Sequence, residues 1–294
     1  MPVFLGLDCG GSSCRALASD EAQNVLFRGT GGPANVATIP ESRLRRSIER
    51  ATQGAPPPDV VCGCFAGLLT ANDRQRAISL LTDRFPQSKV FAFPDYAAAL
   101  RAGGSGIDVC VVAGTGSLVC SLHEGKLRKS GGRGYLLGDR GSGFRFGLHA
   151  LKHFLDYPES STALVQAVEE AFGSGEEGEV LSKLYRSGPP APLVAKLLSA
   201  YVADLKAGQR YAEAALAEEM SALATIASRH ILENFDQSAT PKVGLAGGVW
   251  KASSLFADAF SKSLVELIGK PCPVQRITAP PVTGALLLAM EMKR

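Results

Sequence analysis

Short apolar runs separated by glycine-rich turns recur along the 294-residue chain, and their spacing predicts its secondary structure. Residues 3–8 (VFLGLD), 14–19 and 24–29 predict three strands of an antiparallel meander, because turn residues separate these short runs. Strands and amphipathic helices then alternate up to residue 102, with a buried strand at 60–66. The first third of the chain therefore predicts the order β-β-β-α-β-α-β-α.

Two helices of this region are located by the residues that flank them. Residues 72–84 predict a helix with Asn72 as its N-cap, since asparagine accepts hydrogen bonds from the first amides of a helix. A strand at 89–93 (KVFAF) leads into a helix predicted at 95–102. Asp95 at this junction is interpreted either as the N-cap of that helix or as a functional carboxylate at a strand exit, and both interpretations can hold together.

The same order of elements restarts in the middle of the chain. A strand at 108–114, a glycine turn and a returning strand at 118–122 repeat the strand–turn–strand unit of residues 5–16. Mostly helical sequence follows from about 144 to 236, and this repetition predicts two related halves. The other predicted elements are a turn at 123–126, a glycine-rich stretch at 130–143, a strand at 242–248, a helix at 251–268, a strand at 273–277 and a helix at 281–293.

Composition and charge narrow the class of protein. Hydrophobic residues make up 46% of the chain and charged residues 20%, which at this length is typical of a globular protein with two domains. The 31 Lys and Arg barely exceed the 28 Asp and Glu, so no nucleic-acid partner is expected. No apolar run reaches roughly 18 residues, so no membrane span is expected. Seven cysteines without a C-x-x-C pair indicate free buried thiols and a cytoplasmic location.

Three glycine-rich turns follow predicted buried strands. Glycines let backbone N–H groups approach a phosphate without obstruction by a Cβ atom, and adjacent hydroxyls add donors, so the pattern predicts a nucleotide with its phosphates between two hairpin turns. A Walker A sequence is absent, and the single G-x-G-x-x-G match, at 173–178, lies in helical sequence, which disfavours a Rossmann half. The turns contain Gly10, Gly11, Ser12 and Ser13, then Gly114, Thr115 and Gly116, and finally Gly247 and Gly248.

Five stretches in a fixed order carry the most specific signal. They are LGLDCGGSSCRAL (5–17), GGPANV (31–36), FPDYAAAL (93–100), VVAGTGSLVCSL (111–122) with GGRGYLLGDRGSG (131–143), and GLAGGVWKAS (244–253) with PPVTGALLLA (280–289). Together they resemble the N-acetylglucosamine kinase and BadF/BadG-type branch of the sugar kinase/Hsp70/actin superfamily. The resemblance implies an α/β fold of two ribonuclease H-like domains, the actin-like ATPase fold, facing a central cleft.

The resemblance also implies a domain organisation. Residues 1–112 are expected to form the N-terminal ribonuclease H-like domain, with the terminal helix 281–294 packing back on it. Residues 113–280 are expected to form the C-terminal domain, with a helical insertion at about 144–236. Proteins of this branch are often dimeric, so a homodimer is expected.

The resemblance further implies a role for each matching position. Asp95 would be the general base that accepts the proton of a sugar hydroxyl. Asp8 would help to hold Mg²⁺, through water. ATP would lie with its terminal phosphates at the first two glycine turns and its adenosine against the third. The sugar would be bound by Asn35, Gly132 and Asp139.

The chain departs from the family pattern after Lys206, where Ala207-Gly208-Gln209 replaces the usual A-x-G-D, and at two positions near the expected sugar site. Arg133 stands where the family usually has Trp, and Arg140 stands where it usually has Glu. Either guanidinium could pair with a carboxylate or phosphate of an anionic substrate such as N-acetylmuramate, because arginine recognises such groups through paired hydrogen bonds. The alternatives are an internal salt bridge with Asp139 or Glu124, and simple exposure to solvent.

The resulting expectation is an ATP-dependent kinase that phosphorylates N-acetylglucosamine or glucosamine at the 6-hydroxyl. A kinase of N-acetylmuramate or another anionic amino sugar is one alternative. A BadF-type ATPase activator of a dehydratase is an alternative of another class. Such activators hold an iron–sulfur cluster between two subunits, and the second half of this chain offers only Cys120 and Cys272 for it. A non-catalytic sugar sensor is disfavoured by the presence of Asp95.

Overall fold

The chain divides into two compact α/β units. A computed structural model describes residues 1–123, 126–186 and 188–293. Unit 1 contains Met1–Ile107 and Ile277–Arg294, and unit 2 contains Asp108–Arg276. Each unit is built on one five-stranded mixed sheet with helices packed on it, so the predicted α/β class is confirmed.

The sheet of unit 1 has the strand order β3-β2-β1-β4-β5. Its central strands are the most apolar, and β4 is buried at every position, whereas the edge strand β3 is largely exposed. Strand β2 pairs antiparallel with both β1 and β3. Strand β4 pairs parallel with both β1 and β5, so β1, β4 and β5 end at the same edge of the sheet. The strands are β1 (Val3–Cys9), β2 (Cys14–Asp20), β3 (Val25–Gly31), β4 (Val60–Phe65) and β5 (Lys89–Pro94).

Three helices of unit 1 follow the predicted pattern, and the C-terminal helix joins them. Leu44 and Ile48 are buried on one face of α1, against the sheet. The C-terminal helix lies so close to the sheet and to α3 that a Cβ at Gly6 or Gly284 would overlap backbone atoms. The helices are α1 (Glu41–Ala51), α2 (Ala71–Arg84), α3 (Asp95–Arg101) and the C-terminal helix (Pro281–Glu291).

The N-cap predicted for the second helix is wrong. The hydroxyl of Thr70 accepts the Asp73 N–H at 3.2 Å, and the Asp73 carboxylate accepts the Thr70 N–H at 2.9 Å. This reciprocal pair is a capping box, which satisfies two amides at once. It places Thr70 at the N-cap and leaves Asn72 inside the first turn of α2.

The sheet of unit 2 has the corresponding order β10-β9-β6-β7-β8. Strand β9 pairs parallel with both β6 and β10, while β7 pairs antiparallel with both β6 and β8. The sequence did not indicate strand β8, because its residues KLRKSG are polar and it is an exposed edge strand of the sheet. Of the turn predicted at 123–126, residues 124 and 125 lie outside the described residues. The strands are β6 (Val109–Ala113), β7 (Ser117–His123), β8 (Lys126–Gly131), β9 (Val243–Ala246) and β10 (Val274–Arg276).

The helices of unit 2 pack around an aromatic core in which Phe146 contacts Phe256 and Tyr201. The helix predicted at 251–268 is two helices, because the Ser253 hydroxyl accepts the Leu255 N–H and caps a new helix. The helices are α4 (Gly143–Asp156), α5 (Thr162–Phe172), α6 (Glu177–Arg186), α7 (Ala191–Val194), α8 (Leu198–Lys206), α9 (Arg210–Asn234), α10 (Gly248–Ala252) and α11 (Ser254–Ile268).

None of the seven cysteines forms a disulfide bond in the described residues, and six of them are buried. Cys9 and Cys14 face each other across β1 and β2, with sulfur atoms 2.9 Å apart. Among the residues that the structure describes, no helix has the length and apolar character needed to cross a membrane.

Candidate functional site

The first glycine-rich turn of unit 1 joins β1 to β2 and presents an open backbone. The Gly10 N–H donates to the Ser13 carbonyl at 2.9 Å, which closes the turn. A Cβ placed on Gly11 would meet no atom within 4 Å, and one placed on Gly10 would meet only the Ser13 oxygen at 3.5 Å. The turn therefore has the room and the approachable backbone that a bound phosphate requires.

Asp8 lies near the end of β1, paired with Arg15 on β2 and Cys64 on β4. Burial raises the pKa of the Asp8 carboxyl, and the positive charge of Arg15 opposes this shift. Removal from water disfavours the ionised form of a carboxyl group, so a bound cation would stabilise it.

Asp95 is the first residue of α3 and follows β5 directly. Its carboxylate accepts the Tyr96 N–H at 2.9 Å, while the N-cap position itself is Pro94, one residue earlier than the predicted cap. The pKa of the Cys64 thiol is raised well above its usual value by its hydrogen bond with Cys62, by burial, and also by the charges of both Asp8 and Asp95. Asp8 is the register partner of Cys64, and Cys64 is the partner of Phe93, two residues before Asp95, so the two predicted carboxylates share the edge at which the parallel strands of unit 1 end.

The loop that carries Asn35 is tied to the same edge. The Ala34 N–H donates to the Gly10 carbonyl and the Val36 N–H donates to the Ala66 carbonyl, each at 2.9 Å. The side-chain oxygen of Asn35 accepts the Ala37 N–H at 3.0 Å, which fixes the amide group. Unit 1 thus brings Asn35 together with the first glycine turn, as predicted residues of one site should be.

The second glycine-rich turn joins β6 to β7 in unit 2. The Gly114 N–H donates to the Gly116 carbonyl at 2.9 Å. The first residues of α4 bond to the same turn, since Gly143 N–H donates to the Gly114 carbonyl at 2.7 Å and Phe144 N–H to the Thr115 carbonyl at 3.2 Å. The side chain of Thr115 is exposed. The turn is thereby fixed from behind while its tip remains available to a ligand.

The third glycine-rich turn follows β9, which lies beside β6. Gly247 has φ 117° and ψ 175°, a conformation that essentially only glycine adopts, and a Cβ there would overlap the Ala113 carbonyl. Gly248 begins α10, and a Cβ on it would meet nothing within 4 Å. The second and third turns therefore lie side by side at one edge of the sheet of unit 2.

Asp139 is held against the second turn. It has φ 56° and is 8% exposed. Burial raises the pKa of its carboxyl, and the backbone N–H groups of Ser117 and Gly134 oppose this shift. A Cβ on Gly116 would lie 2.7 Å from its Oδ2 atom. The carboxylate thus lies against the turn at Gly116 and faces the Ser117 N–H of the turn and the Gly134 N–H of its own loop, a contact that the sequence did not indicate.

We expect Gly116→Ala to destabilise unit 2, because the new methyl group would displace the Asp139 carboxylate from the amides that it accepts. Loss of such buried hydrogen bonds lowers the free energy of unfolding by about 1–3 kcal/mol. Gly114→Ala is the matched control, since its Cβ would meet no atom within 4 Å, and we expect it to change stability by less than about 0.5 kcal/mol. Urea unfolding measures both, and equal stabilities of the two variants would contradict the contact.

A cavity of about 710 Å³ in unit 2 opens beside Asp139. Gly132, with φ 63°, lies between two residues that line it. Arg133 is exposed at its wall and makes no ion pair with any residue in the described ranges. The residues that give the cavity its character are Lys129, Arg133, Leu136, Leu137, Asp139 and Arg229.

Arg140 has internal partners, and these are on α9 rather than in its own loop. Its guanidinium lies 2.7 Å from the Glu218 carboxylate and 3.3 Å from that of Glu219. The alternative of an internal salt bridge therefore holds for Arg140, but its partners in the described residues do not include Asp139, and Glu124 lies outside those residues. Sequence reasoning missed Glu219 because no motif marks it and 78 residues separate it from its loop partner Gly141.

The chain is similar to proteins that are named as amino-sugar kinases. It is 25% identical over 324 residues to the N-acetyl-D-glucosamine kinase of Dictyostelium discoideum, which covers 99% of each chain. It is 24% identical to the N-acetylmuramic acid/N-acetylglucosamine kinase of Clostridium acetobutylicum over 90% of each.

A solved structure shows the same fold. It is that of a candidate N-acetylglucosamine kinase from Chromobacterium violaceum, with 22% identity, 98% of this chain and 99% of that chain covered, and a TM-score of 0.73. The predicted pair of ribonuclease H-like domains is thereby confirmed. The family match spans residues 5–289, and the five sequence stretches that suggested it all lie within those limits. The chain belongs to the BadF/BadG/BcrA/BcrD ATPase family.

Proposed function

We propose that this protein is an ATP-dependent kinase that transfers the γ-phosphoryl group to the 6-hydroxyl of N-acetylglucosamine or glucosamine. The observation that carries the proposal is the placement of Asp95 at the edge of unit 1 that also holds Asp8 and the open first turn. Two family relatives named as N-acetylglucosamine kinases support the substrate class.

Asp95 is the proposed general base. A sugar hydroxyl is a weak nucleophile, and a carboxylate within hydrogen-bond reach orients it and accepts its proton during transfer. The Tyr96 N–H holds one carboxylate oxygen of Asp95, which fixes the direction of the side chain. Asn35, fixed by its own contact with the Ala37 N–H, is the proposed partner of the sugar hydroxyls in the same unit.

The glycine turns are the proposed ATP site, with Ser12, Ser13 and Thr115 adding hydroxyl donors. ATP supplies the phosphoryl group, and the protein contributes positioning and charge stabilisation of a loose transition state. Two observations support the fit. The backbone at Gly11, Gly114 and Gly248 has open space where a Cβ would be. The second and third turns of unit 2 also lie side by side.

Asp8 is the proposed carboxylate of a Mg²⁺ site. Mg²⁺ keeps several waters and takes few protein ligands, so one half-buried carboxylate beside the proposed phosphate-binding turn fits its preferences. The raised pKa of Asp8 supports this role, because a bound cation offsets the cost of a buried negative charge.

We expect Asp8→Asn to lower activity and raise stability. A raised pKa means that ionised Asp8 costs folding free energy at pH values above its folded pKa, and that the cost disappears as pH falls through it. The neutral amide removes the cost, so the Tm without Mg²⁺ rises near pH 7, while turnover falls about tenfold or more.

Asp20→Asn is the control for this stability gain. Hydrogen bonds from Asn24 lower the pKa of Asp20, so its ionised form favours the folded state and its amide variant should melt lower. Thermal scans of both variants give the comparison. A lower Tm for Asp8→Asn would contradict the proposed cost.

Arg133 favours a second candidate substrate, an anionic amino sugar such as N-acetylmuramate. Its guanidinium is exposed at the cavity beside Asp139 and has no ion-pair partner in the part of the chain that the structure describes. Arginine binds carboxylates well, and Leu136 and Leu137 at the same wall are exposed apolar neighbours. Arg140 does not support this candidate, because Glu218 and Glu219 already bind it.

The cysteine positions weigh against a dehydratase activator. Cys110 and Cys120 are buried and face each other across β6 and β7, and Cys272 bonds to the Pro241 carbonyl. A cluster shared by two subunits needs cysteine sulfur atoms at the surface between them, and the two buried thiols do not offer this. A colourless purified protein supports the kinase proposal over this class.

ADP release with a panel of sugars tests the proposal. The protein is incubated with ATP, Mg²⁺ and N-acetylglucosamine, glucosamine, N-acetylmuramate or glucose. We expect the highest kcat/KM with one of the amino sugars. Strong preference for a neutral amino sugar over N-acetylmuramate rules out the role of Arg133, and ADP release that no sugar increases contradicts the kinase proposal.

A further inference from the structure

A fully buried carboxylate on α9 connects the elements that hold the second glycine turn. The side chain of Glu219 is 0% exposed. One of its oxygens accepts the Gly141 N–H at 2.9 Å, and the other accepts Arg145 Nε at 2.9 Å. Arg140 Nε at 3.3 Å and His149 Nε2 at 3.3 Å complete its surroundings. A single side chain thus links α9 to the loop after β8 and to α4.

Both elements that Glu219 holds bond directly to the second turn. The N-terminal amides of α4 donate to the carbonyls of Gly114 and Thr115, as described above. The Ser117 hydroxyl donates to the Arg140 carbonyl at 2.6 Å, and the Asp139 carboxylate in the same loop lies against Gly116 of the turn and faces the Ser117 N–H. Movement of Glu219 would therefore displace the turn through two sets of contacts, those of α4 and those of the loop after β8.

The charges around Glu219 favour its ionised state. Burial raises the pKa of its carboxyl, but donation by His149, by the Gly141 N–H and by Arg145 outweighs burial, and the pKa lies below its usual value. His149, Glu218 and Glu219 are close enough together to suggest a metal site. Arg140 and Arg145 already occupy these carboxylates, so the cluster is a network of ion pairs.

We propose that Glu219 is a positioning residue that holds the second glycine turn and Asp139 in the geometry needed for phosphoryl transfer. This inference rests on the proposed kinase function. A displacement of about 1 Å in a catalytic group can reduce the rate about 10²-fold, so a residue without substrate contact can control turnover. Glu219 acts through Gly141 and Arg145 and touches neither ATP nor sugar.

Glu219→Asp and Glu219→Ala test the proposal, with Glu218→Gln as the matched control. Aspartate keeps the charge but is too short to hold Gly141 and Arg145 together. We expect kcat to fall about 10–100-fold in both variants, with the affinity for ADP changed by less than about threefold. Glu218 is exposed and, among the described residues, forms an ion pair with Arg140 but accepts no amide of the loop or of α4, so its variant should retain kcat within about twofold.

Hydrogen exchange gives a readout that does not depend on activity. Amides of the segment 114–117 and the first turn of α4 should exchange at least about tenfold faster in Glu219→Asp, with little change in β9 and α11. Should Glu219→Ala fail to fold, Arg145→Lys provides the milder break of the same contact, because lysine lacks the Nε donor, and the same local pattern is expected.

Failure of the proposed kinase function and failure of the positioning role of Glu219 give different results. A wild-type protein with no sugar-dependent ADP release refutes the kinase function, and the exchange measurement still tests the connection. An active wild type together with a folded Glu219→Asp variant of normal kcat overturns the positioning role. Faster exchange spread evenly over unit 2 also overturns it, because that pattern indicates a general loss of stability.

Discussion

Asp95→Asn is expected to lower the sugar-dependent turnover about 10²–10⁴-fold, the usual contribution of a general base. The asparagine oxygen can still accept the Tyr96 N–H, so the start of α3 is preserved. Its neutral amide cannot take the proton of the sugar hydroxyl. Because the change leaves the glycine turns intact, the affinity for ADP should remain within about threefold of the wild-type value.

Asp59→Asn is the control for this substitution. Asp59 accepts the Val3 N–H at 2.7 Å at the start of β4, the opposite end of that strand from Cys64. The same chemical change there should leave turnover within about twofold. Steady-state rates and ADP titration calorimetry measure the pair. Normal turnover of Asp95→Asn would contradict the proposed role of Asp95 as the general base.

Gly247→Ala is expected to have the largest effect on stability. An alanine must adopt φ 117° and ψ 175°, and its Cβ must also displace the Ala113 carbonyl in β6. Strain of this kind and overpacking together lower the free energy of unfolding by about 2–6 kcal/mol. Denaturant unfolding of the full chain measures the loss, which should appear in unit 2.

Gly248→Ala distinguishes an effect on nucleotide binding from an effect on stability. Its Cβ would meet no protein atom within 4 Å, and alanine is favourable at the start of a helix. Stability should therefore be retained, while the added methyl group occupies space proposed for the adenosine and weakens ADP binding. Calorimetric titration with ADP decides this: unchanged affinity in Gly248→Ala would place the nucleotide elsewhere.

Local sequence signals predicted the elements on which the proposed site depends. Asp8, Asp95 and the three glycine turns all follow apolar runs, and such runs become buried strands whose ends carry the site. Parallel strands end at one edge of a sheet, so residues distant in sequence come together there. The predicted proximity of these groups within each unit follows from this rule.

Features that depend on long-range partners could not be predicted. The capping box of α2 required the reciprocal contact of Thr70 with Asp73, and the break before α11 required Ser253 as a cap. The polar strand β8 forms because β7 offers it a partner. Glu219 meets its loop only in the folded state, so its sequence neighbours carry no signal of its role.

Transfer of a labelled phosphoryl group from ATP to the sugar is the direct test of the proposed kinase activity. The protein is incubated with Mg²⁺, N-acetylglucosamine and ATP that carries heavy oxygen in the γ-phosphoryl group, and the sugar is analysed by mass spectrometry. We expect a sugar monophosphate that retains the label, with one ADP formed for each. Labelled inorganic phosphate beside unmodified sugar, whichever amino sugar is supplied, would contradict it.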